Sequence, residues 1–225
     1  MRRFFARSLR WIFNALSALL TRRQVEGLEN LPPEGPYILA VNHLSYLDVP
    51  FVFGLIGNEN VTGWAAEKYQ RHPIFRPILG LAGGIFIERG QVDRRALGSA
   101  IAWLKQGGIF GMAPEGTRSK TGALMRGKTG VVYLAHETGA PIVPCAITGT
   151  ETAIRSWLRL RRPVFRLRVG QPFHLPPLDS QNRTASLREQ TDEVMCRIAA
   201  LLPEVYRGVY ADHPRLKALL EGPRN

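Results

Sequence analysis

The segment YILAVNHLSYLD, residues 37–48, carries the most information about the architecture because its character changes at its midpoint. The first half is a short apolar run of the kind that forms a buried strand. The second half opens the segment SYLDVPFVFGLI, residues 45–56, for which we predict a helix. Asn42 and His43 then occupy the turn between them. A strand that leads through a polar turn into a helix is typical of an α/β domain.

The remainder of the chain alternates in the same way between short apolar runs and helical periods. This alternation predicts a single α/β domain, residues 25–225, with a central mixed, mostly parallel sheet flanked by helices. An N-terminal amphipathic membrane-surface helix, residues 1–24, precedes the domain. Further strands are predicted at 61–66, 83–89, 108–114 and 141–147, with an outer strand at 164–170, and further helices at 93–106, 129–140 and 186–202.

The chain is strongly basic, with a formal net charge of +12 at pH 7. Such a charge predicts an anionic partner: a nucleic acid, a phosphate-bearing substrate or the anionic face of a membrane. The aromatic residues fall in predicted strands and in the N-terminal segment rather than between arginines on one face, so we expect no nucleic-acid binding. Cys145 and Cys196 stand apart from any histidine or cysteine cluster, and we expect no metal site.

The N-terminal segment MRRFFARSLRWIFNALSALLTRRQ, residues 1–24, is basic at both ends and contains no acidic residue. Its uncharged part, residues 11–21, has about half the roughly 20 residues that a spanning helix needs. Aromatic residues beside arginines instead predict an amphipathic helix in the headgroup layer of a membrane. We therefore predict a peripheral, monotopic protein on the cytoplasmic face of the cell membrane. An Arg-rich, acid-poor organelle transit peptide remains the open alternative.

His43 and Asp48 are the first candidates for catalysis. Residues five apart on an ideal helix point about 140° away from each other, so the two side chains meet only if a turn intervenes. In that geometry Asp48 holds one ring nitrogen of His43 protonated, and the other nitrogen can accept a proton from a substrate hydroxyl. The alternative is structural: Ser45 and Asp48 form an S-x-x-D pair that resembles a helix cap. This segment alone leaves both interpretations open.

A second candidate site follows the strand predicted at 108–114. The segment PEGTRSKTG, residues 114–122, combines a carboxylate, a glycine that permits close backbone approach, a hydroxyl and a guanidinium, which together could hold a phosphate. Another arginine, Arg89, ends the strand predicted at 83–89 and would project from the same sheet edge, where ligands of open α/β sheets collect. The candidate phosphate-binding residues are Arg89, Glu115, Gly116, Thr117 and Arg118.

A competing motif is GALMRGKT, residues 122–129, which formally matches the phosphate loop of nucleotide hydrolases. Its first glycine follows a polar stretch rather than an apolar strand. No later predicted strand ends in the aspartate that such proteins use for magnesium. We therefore rank nucleotide binding far below an enzyme that acts on a phosphate-bearing substrate.

Four segments together resemble the 1-acylglycerol-3-phosphate acyltransferase family of glycerolipid acyltransferases. NHLSYLD, residues 42–48, matches the N-H-x-x-x-x-D signature of that family. GIFIER at 84–89, EGTRS at 115–119 and IVP at 142–144 follow in the family order. The first and third segments are specific in combination, and the other two are weak alone.

The resemblance implies a reaction and a role for each candidate residue. His43 would be the general base that deprotonates the free hydroxyl of a lysophospholipid, and Asp48 would orient its ring. The acyl donor would be acyl-CoA or acyl carrier protein, with no cofactor, and the product would be phosphatidic acid. Another acceptor, such as lyso-ornithine lipid, is the alternative within the family. The residues implied in binding are Arg89, Glu115, Gly116, Thr117 and Arg118 for the glycerol phosphate, with Val143 and Pro144 lining an acyl-chain or thioester channel.

Overall fold

A computed structural model of the chain describes residues 2–58, 60–73, 75–82, 84–88 and 93–222. The strands are β1 (Arg22–Glu26), β2 (Tyr37–Val41), β3 (Val61–Ala66), β4 (Ile85–Ile87), β5 (Ile109–Met112), β6 (Ile142–Thr148) and β7 (Val164–Val169). The helices are α1 (Arg2–Leu20), α2 (Asp48–Leu55), α3 (Phe75–Ala82), α4 (Arg94–Lys105), α5 (Gly130–Thr138), α6 (Ala153–Trp157), α7 (Arg183–Leu201) and α8 (Pro214–Glu221).

The strands form one sheet in the order β1-β7-β6-β2-β5-β3-β4. The five strands from β2 to β6 run parallel to one another, β7 runs antiparallel to β6, and β1 runs parallel to β7. The predicted single α/β domain with a mixed, mostly parallel sheet is therefore confirmed. Because β2, β5 and β6 are neighbours and parallel, the segments that leave their carboxyl ends meet at one edge of the sheet.

The position of β7 differs from the prediction of an outer strand at 164–170. In the structure β7 lies one place inside the edge, because β1 pairs with it from Arg22↔Val164 to Glu26↔Arg168. Helix α1 ends at Leu20, so residues 22–24, which the sequence pattern assigned to the N-terminal helix, belong to β1. The sequence of β1, RRQVE, has a single apolar residue, and backbone pairing with β7 is what makes it a strand.

The sheet is buried on both faces by two apolar clusters. Ile38 and Ala40 of β2 point into the first cluster, with residues of α4, α5 and α7, whereas Tyr37 and Leu39 point into the second, beside α2. This period of two along a wholly apolar strand is typical of a parallel sheet covered on both sides. Val143 belongs to the second cluster and is 0% exposed, so it is a core residue. Pro144 is buried as well, and the channel role that the resemblance implies for Val143 and Pro144 stays a prediction.

Most predicted helices are present within a few residues of their expected limits. Helix α4 begins where Asp93 accepts a hydrogen bond from the amide of Ala96 (2.9 Å), and α5 ends at Gly139, whose φ of 67° suits glycine. Helix α2 begins at Asp48 rather than at Ser45. Helices α3, α6 and α8 were not predicted, because each is short and lies in a segment without a long apolar period.

Helix α1 packs against α2 through its less apolar face. The rings of Phe13 and Phe53 meet edge to face with centroids 6.3 Å apart. Gly54 allows close backbone approach, since a Cβ there would lie 2.9 Å from the amide nitrogen of Asn14. The large apolar side chains of α1 that are exposed are Phe5, Trp11, Ile12, Leu16, Leu19 and Leu20. This arrangement reverses that of a helix in a globular core, where the apolar stripe faces inward.

Within the described part of the chain, no helix combines the length and the apolar character needed to cross a bilayer.

Candidate active site

The turn between β2 and α2 brings His43 and Asp48 together. Nδ1 of His43 lies 2.7 Å from Oδ2 of Asp48. The aspartate side chain is 2% exposed, whereas the histidine side chain is 17% exposed and so can be reached from solvent. Among the described residues, Nε2 of His43 has no hydrogen-bond partner. The pair is thus a buried carboxylate behind a reachable imidazole.

Asp48 accepts hydrogen bonds on both carboxylate oxygens. Besides the histidine, Oδ2 accepts from the amides of Leu44 (2.7 Å) and Ser45 (2.8 Å), and Oδ1 accepts from the hydroxyl of Thr150. Because every other group around the carboxylate is a donor, Nδ1 of His43 donates as well, and Nε2 is left as the acceptor. The structural and catalytic interpretations of Asp48 are therefore compatible: it holds the backbone of the turn and also the tautomer of the ring.

Asn42 anchors the start of the turn to the sheet. Its side chain is buried, with 1% exposure. Nδ2 donates to the carbonyl of Ile147 (2.9 Å), and Oδ1 accepts from the amide of Ile147 (2.7 Å). The side chain thereby extends the β2–β6 ladder by one pair after the backbone of β2 has left it. Asn42 therefore has a structural role beyond the turn. The sequence feature that could have indicated this role is a polar side chain directly after a buried strand.

Glu115 and Ser119 hold the backbone of His43 from the other side. Oε1 of Glu115 accepts from the amide of His43 (2.9 Å), and the amide of Ser119 donates to the carbonyl of His43 (2.8 Å). The second oxygen of Glu115 accepts from the amide of Met125 (2.9 Å). Glu115 is 2% exposed, and burial raises the pKa of its carboxyl. The structure thus places Glu115 behind the site, where it positions His43.

The other residues of the 115–118 segment lie closer to solvent. Gly116 has a φ of 71°, and a Cβ there would come within 3.0 Å of the Lys128 side chain. Thr117 is exposed and Arg118 is half-buried. The guanidinium carbon of Arg118 lies 3.4 Å from the centroid of the Tyr46 ring, in the same turn as His43. The Arg118 guanidinium is therefore held against the turn that carries His43. Its role in binding phosphate stays a prediction.

Tyr46 was not predicted as a site residue. Its ring is 51% exposed and lies edge to face with Tyr69, with centroids 6.4 Å apart. A hydrogen bond with Tyr69 and the positive charge of Arg118 lower the pKa of the Tyr46 hydroxyl. The sequence around Tyr46 gives no signal for these contacts, because Tyr69 and Arg118 come from other segments of the chain.

Comparison with known proteins agrees with this geometry. A family model described as Acyltransferase matches residues 22–148, which contain β1 to β6 and the whole His43 turn. The chain belongs to the acyltransferase family. The match covers more than half of the chain, and the His43–Asp48 pair and the 115–118 segment lie within it.

Relatives of this acyltransferase carry a consistent name. A 1-acyl-sn-glycerol-3-phosphate acyltransferase from Cocos nucifera is 36% identical over 154 residues, which are 66% of this chain and 49% of that protein. One from Bacillus subtilis is 25% identical over 186 residues, 80% of this chain and 91% of that protein. The chain thus spans about half the length of the coconut relative and most of the bacterial one.

A solved structure shares the fold of this acyltransferase. The crystal structure of the 1-acyl-sn-glycerophosphate (LPA) acyltransferase PlsC from Thermotoga maritima superposes with a TM-score of 0.68 at 27% identity. The superposition covers 86% of this chain and 77% of that one. The agreement therefore extends over nearly the whole α/β domain.

Two further predictions from the sequence concern Arg89 and the possible phosphate loop at 122–129, and the structure tests only the second. Arg89 lies outside the described residues, so its phosphate-binding role stays a prediction. The GALMRGKT segment is described, and it is not a phosphate loop, because backbone amides that would cradle a phosphate are bonded within the protein. These amide hydrogen bonds run from Leu124 to the carbonyl of Tyr206 (2.9 Å), from Met125 to the carboxylate of Glu115 (2.9 Å), from Gly127 to the hydroxyl of Tyr210 (3.1 Å) and from Lys128 to the carbonyl of Pro114 (2.8 Å).

Proposed function

We propose that this acyltransferase moves a fatty acyl group from an acyl thioester to the free hydroxyl of 1-acylglycerol 3-phosphate, giving phosphatidic acid. The observation that carries the proposal is the His43–Asp48 pair, with Nε2 of the ring facing outward at the carboxyl edge of the sheet. The names of the relatives from coconut and Bacillus subtilis support the same acceptor. The donor is acyl-CoA or acyl carrier protein.

The reaction needs one base and good alignment. Nε2 of His43 takes the proton of the acceptor hydroxyl while the oxygen attacks the thioester carbonyl, and Asp48 holds the proton on Nδ1. The tetrahedral intermediate collapses with cleavage of the C–S bond, and the proton passes from His43 to the leaving thiolate. No acyl-enzyme forms. Base catalysis supplies about 10²- to 10⁴-fold in rate, and holding the alcohol beside the thioester supplies more.

A direct assay tests the proposal. Purified protein with labelled acyl-CoA or acyl carrier protein and lysophosphatidic acid is expected to form labelled phosphatidic acid. Activity with lyso-ornithine lipid but not with lysophosphatidic acid would show that the acceptor differs from the proposed one while the reaction is still acyl transfer to a lysolipid. If none of a panel of lysolipids is acylated by either donor, the proposed function is wrong.

The phosphate of the acceptor is proposed to bind at Arg118, with Thr117 and the backbone around Gly116 beside it. We expect Arg118→Ala to raise KM for lysophosphatidic acid about 10- to 100-fold, since a charge-assisted contact to phosphate is lost, and to change kcat much less. Steady-state kinetics measures both constants. Replacement of the exposed Arg183 by alanine is the matched control. An unchanged KM in the Arg118 variant would remove Arg118 from the phosphate site.

We also propose that α1 attaches the protein peripherally to the cytoplasmic face of the cell membrane. The outward apolar face of α1, with Trp11 and Leu19 each 70% exposed, supports this role because both substrates are lipids or carry lipid chains. We expect Leu19→Glu to weaken binding to vesicles that contain anionic lipid about tenfold, as measured by sedimentation. Unchanged sedimentation would contradict the assignment.

A further inference from the structure

The segment IRSWLRLRR, residues 154–162, leaves large apolar side chains in water. We call it the arginine–leucine loop. It contains most of α6 and the turn that leads to β7. Ile154 is 69% exposed, Leu158 is 81% exposed and Leu160 is 98% exposed. Single exposed leucines are ordinary on protein surfaces, but three large exposed apolar side chains within seven residues indicate a contact surface.

The backbone at Leu160 strengthens this inference. Its φ is 52°, in the left-handed region that favours glycine, where it closes α6. The amide of Leu160 donates to the carbonyl of Trp157 (2.9 Å), and the amide of Arg161 donates to the carbonyl of Ser156 (2.9 Å), which is the pattern of a Schellman motif. A leucine here is unfavourable both for the backbone and for its contact with water. Such an outlier points to a function that the isolated fold does not reveal.

The charges around these leucines are all of one sign. Arg155, Arg159, Arg161 and Arg162 are exposed, and no acidic residue occurs between positions 153 and 163. Arginines that alternate with leucines can place their guanidinium groups on lipid phosphates while the leucines enter the acyl region. The surface is therefore complementary to an anionic bilayer.

The loop is fastened to the end of α1. Trp157 donates through Nε1 to the carbonyl of Leu20 (3.0 Å), and Arg162 donates to the carbonyls of Ala18 (2.6 Å) and Thr21 (2.5 Å). The last turn of α1 has no basic residue of its own, so the loop supplies its cap. These bonds make the outward apolar face of α1 continuous with the leucines of the loop.

The residues just before the arginine–leucine loop contact the His43–Asp48 pair. Thr150, between β6 and α6, donates its hydroxyl to Asp48. Arg22 starts β1 beside Val164, so the end of α1 also lies at the sheet edge that carries His43. A surface that meets the bilayer through α1 and the loop therefore turns the His43 edge toward the lipid.

We propose that the arginine–leucine loop is a second membrane contact, which inserts Leu158 and Leu160 into an anionic bilayer and, with α1, sets one orientation of the enzyme. The inference rests on the proposed lipid-acylating function. It adds to that function a contact that controls access to substrates held in a membrane.

The replacement Leu160→Gly tests the proposal because it separates folding from binding. Glycine suits a φ of 52°, so the thermal midpoint is expected to rise by about 2–4 °C. Loss of the leucine side chain is expected to weaken sedimentation with phosphatidylglycerol-containing vesicles about tenfold. If the Leu160 side chain served only the fold, its replacement would not both raise the thermal midpoint and weaken vesicle binding. Vesicle binding equal to that of the wild type would overturn the proposal.

A pair of charge-matched variants provides the control. Leu160→Glu is expected to weaken vesicle binding more than tenfold, whereas Leu28→Glu, with the same change in charge, is expected to bind within about twofold of the wild type. Leu28 is 37% exposed and lies near Tyr37, the first residue of β2, at the opposite end of the sheet. Equal effects of the two variants would reduce the result to net charge and overturn the proposal.

Two further measurements separate membrane contact from self-association and from a direct effect on catalysis. Light scattering without vesicles is expected to give the same mass for the wild type and Leu160→Gly; a mass that falls on substitution would assign the loop to self-association instead. With short-chain acceptor and donor below their micellar concentrations, Leu160→Gly is expected to keep wild-type turnover. If the wild type itself acylates no lysolipid, the proposed function fails, while the vesicle measurements still decide whether the loop contacts membranes.

Discussion

The replacement His43→Ala will lower the rate of acyl transfer by about 10³-fold or more. In the structure, Nδ1 of His43 is held by Asp48 at 2.7 Å, and Nε2 is the basic atom that faces outward from the turn. Alanine removes the proton acceptor and leaves the rest of the site in place. Initial rates of phosphatidic acid formation at saturating substrate measure the effect.

The fold is expected to survive the loss of His43. The turn is held largely by the backbone of this residue, through its amide to Glu115 and its carbonyl to Ser119, and alanine keeps both bonds. The thermal midpoint should therefore stay within a few degrees of the wild type. The exposed His174 gives a matched control, since His174→Ala is expected to keep full activity. More than about a tenth of the wild-type rate in the His43 variant would refute the proposed base.

The replacement Asp48→Asn is expected to damage both catalysis and stability. The carboxylate accepts from Leu44, Ser45, Thr150 and His43, and an amide must turn its NH₂ group toward at least one of these donors. We expect the rate to fall about 10²- to 10⁴-fold because the tautomer of His43 is no longer held. We expect the free energy of unfolding to fall by about 3 kcal/mol because a buried donor loses its partner.

These two effects distinguish the two roles that the sequence left open for Asp48. Kinetics and urea denaturation of the same variant measure them separately. A loss of stability with an unchanged kcat would show that the carboxylate only caps the turn. The exposed Asp212 provides the control, since Asp212→Asn is expected to change neither quantity. Thr150→Val removes one donor to Asp48 and is expected to give a smaller loss of rate than Asp48→Asn.

The turn that carries His43 follows β2 and is held from the two strands beside β2, which are β5 and β6. Asn42 bonds the end of β2 to β6 through Ile147, and Thr150 approaches from the segment after β6. Glu115 and its neighbour Ser119 approach from the segment after β5. Such fixation from several sides keeps a base within the narrow geometry that proton transfer requires.

The strands and helices could be predicted where the apolar pattern is strong. β2 to β6 match the predicted apolar runs to within one residue, and α4, α5 and α7 follow predicted helical periods. β1 could not be predicted, because its sequence RRQVE lacks a period and its hydrogen bonds depend on β7, far along the chain. The same pairing moved β7 from the edge of the sheet to an inner position.

The residues of the site also divide into those that a local pattern could predict and those whose contacts depend on distant parts of the chain. The spacing of His43 and Asp48 allowed a contact only across a turn, and the arginine after β5 was a reasonable partner for phosphate. The sequence predicts that Glu115 binds the substrate. In the structure its side chain instead accepts a hydrogen bond from the amide of His43, 72 positions earlier. Tyr46 was overlooked, because its contact with Arg118 needs two separate loops to meet.

The order of residues along this chain was sufficient to predict an α/β domain, a possible histidine–aspartate pair and a basic, apolar N-terminal helix. Each of these is a local property, readable from periods and spacings of a few residues. The order of strands, the donors around Asp48 and the joining of α1 to the arginine–leucine loop came from the folded chain. Thr150 and Asp48 are 102 positions apart, and no local pattern records which distant polar groups will be buried together.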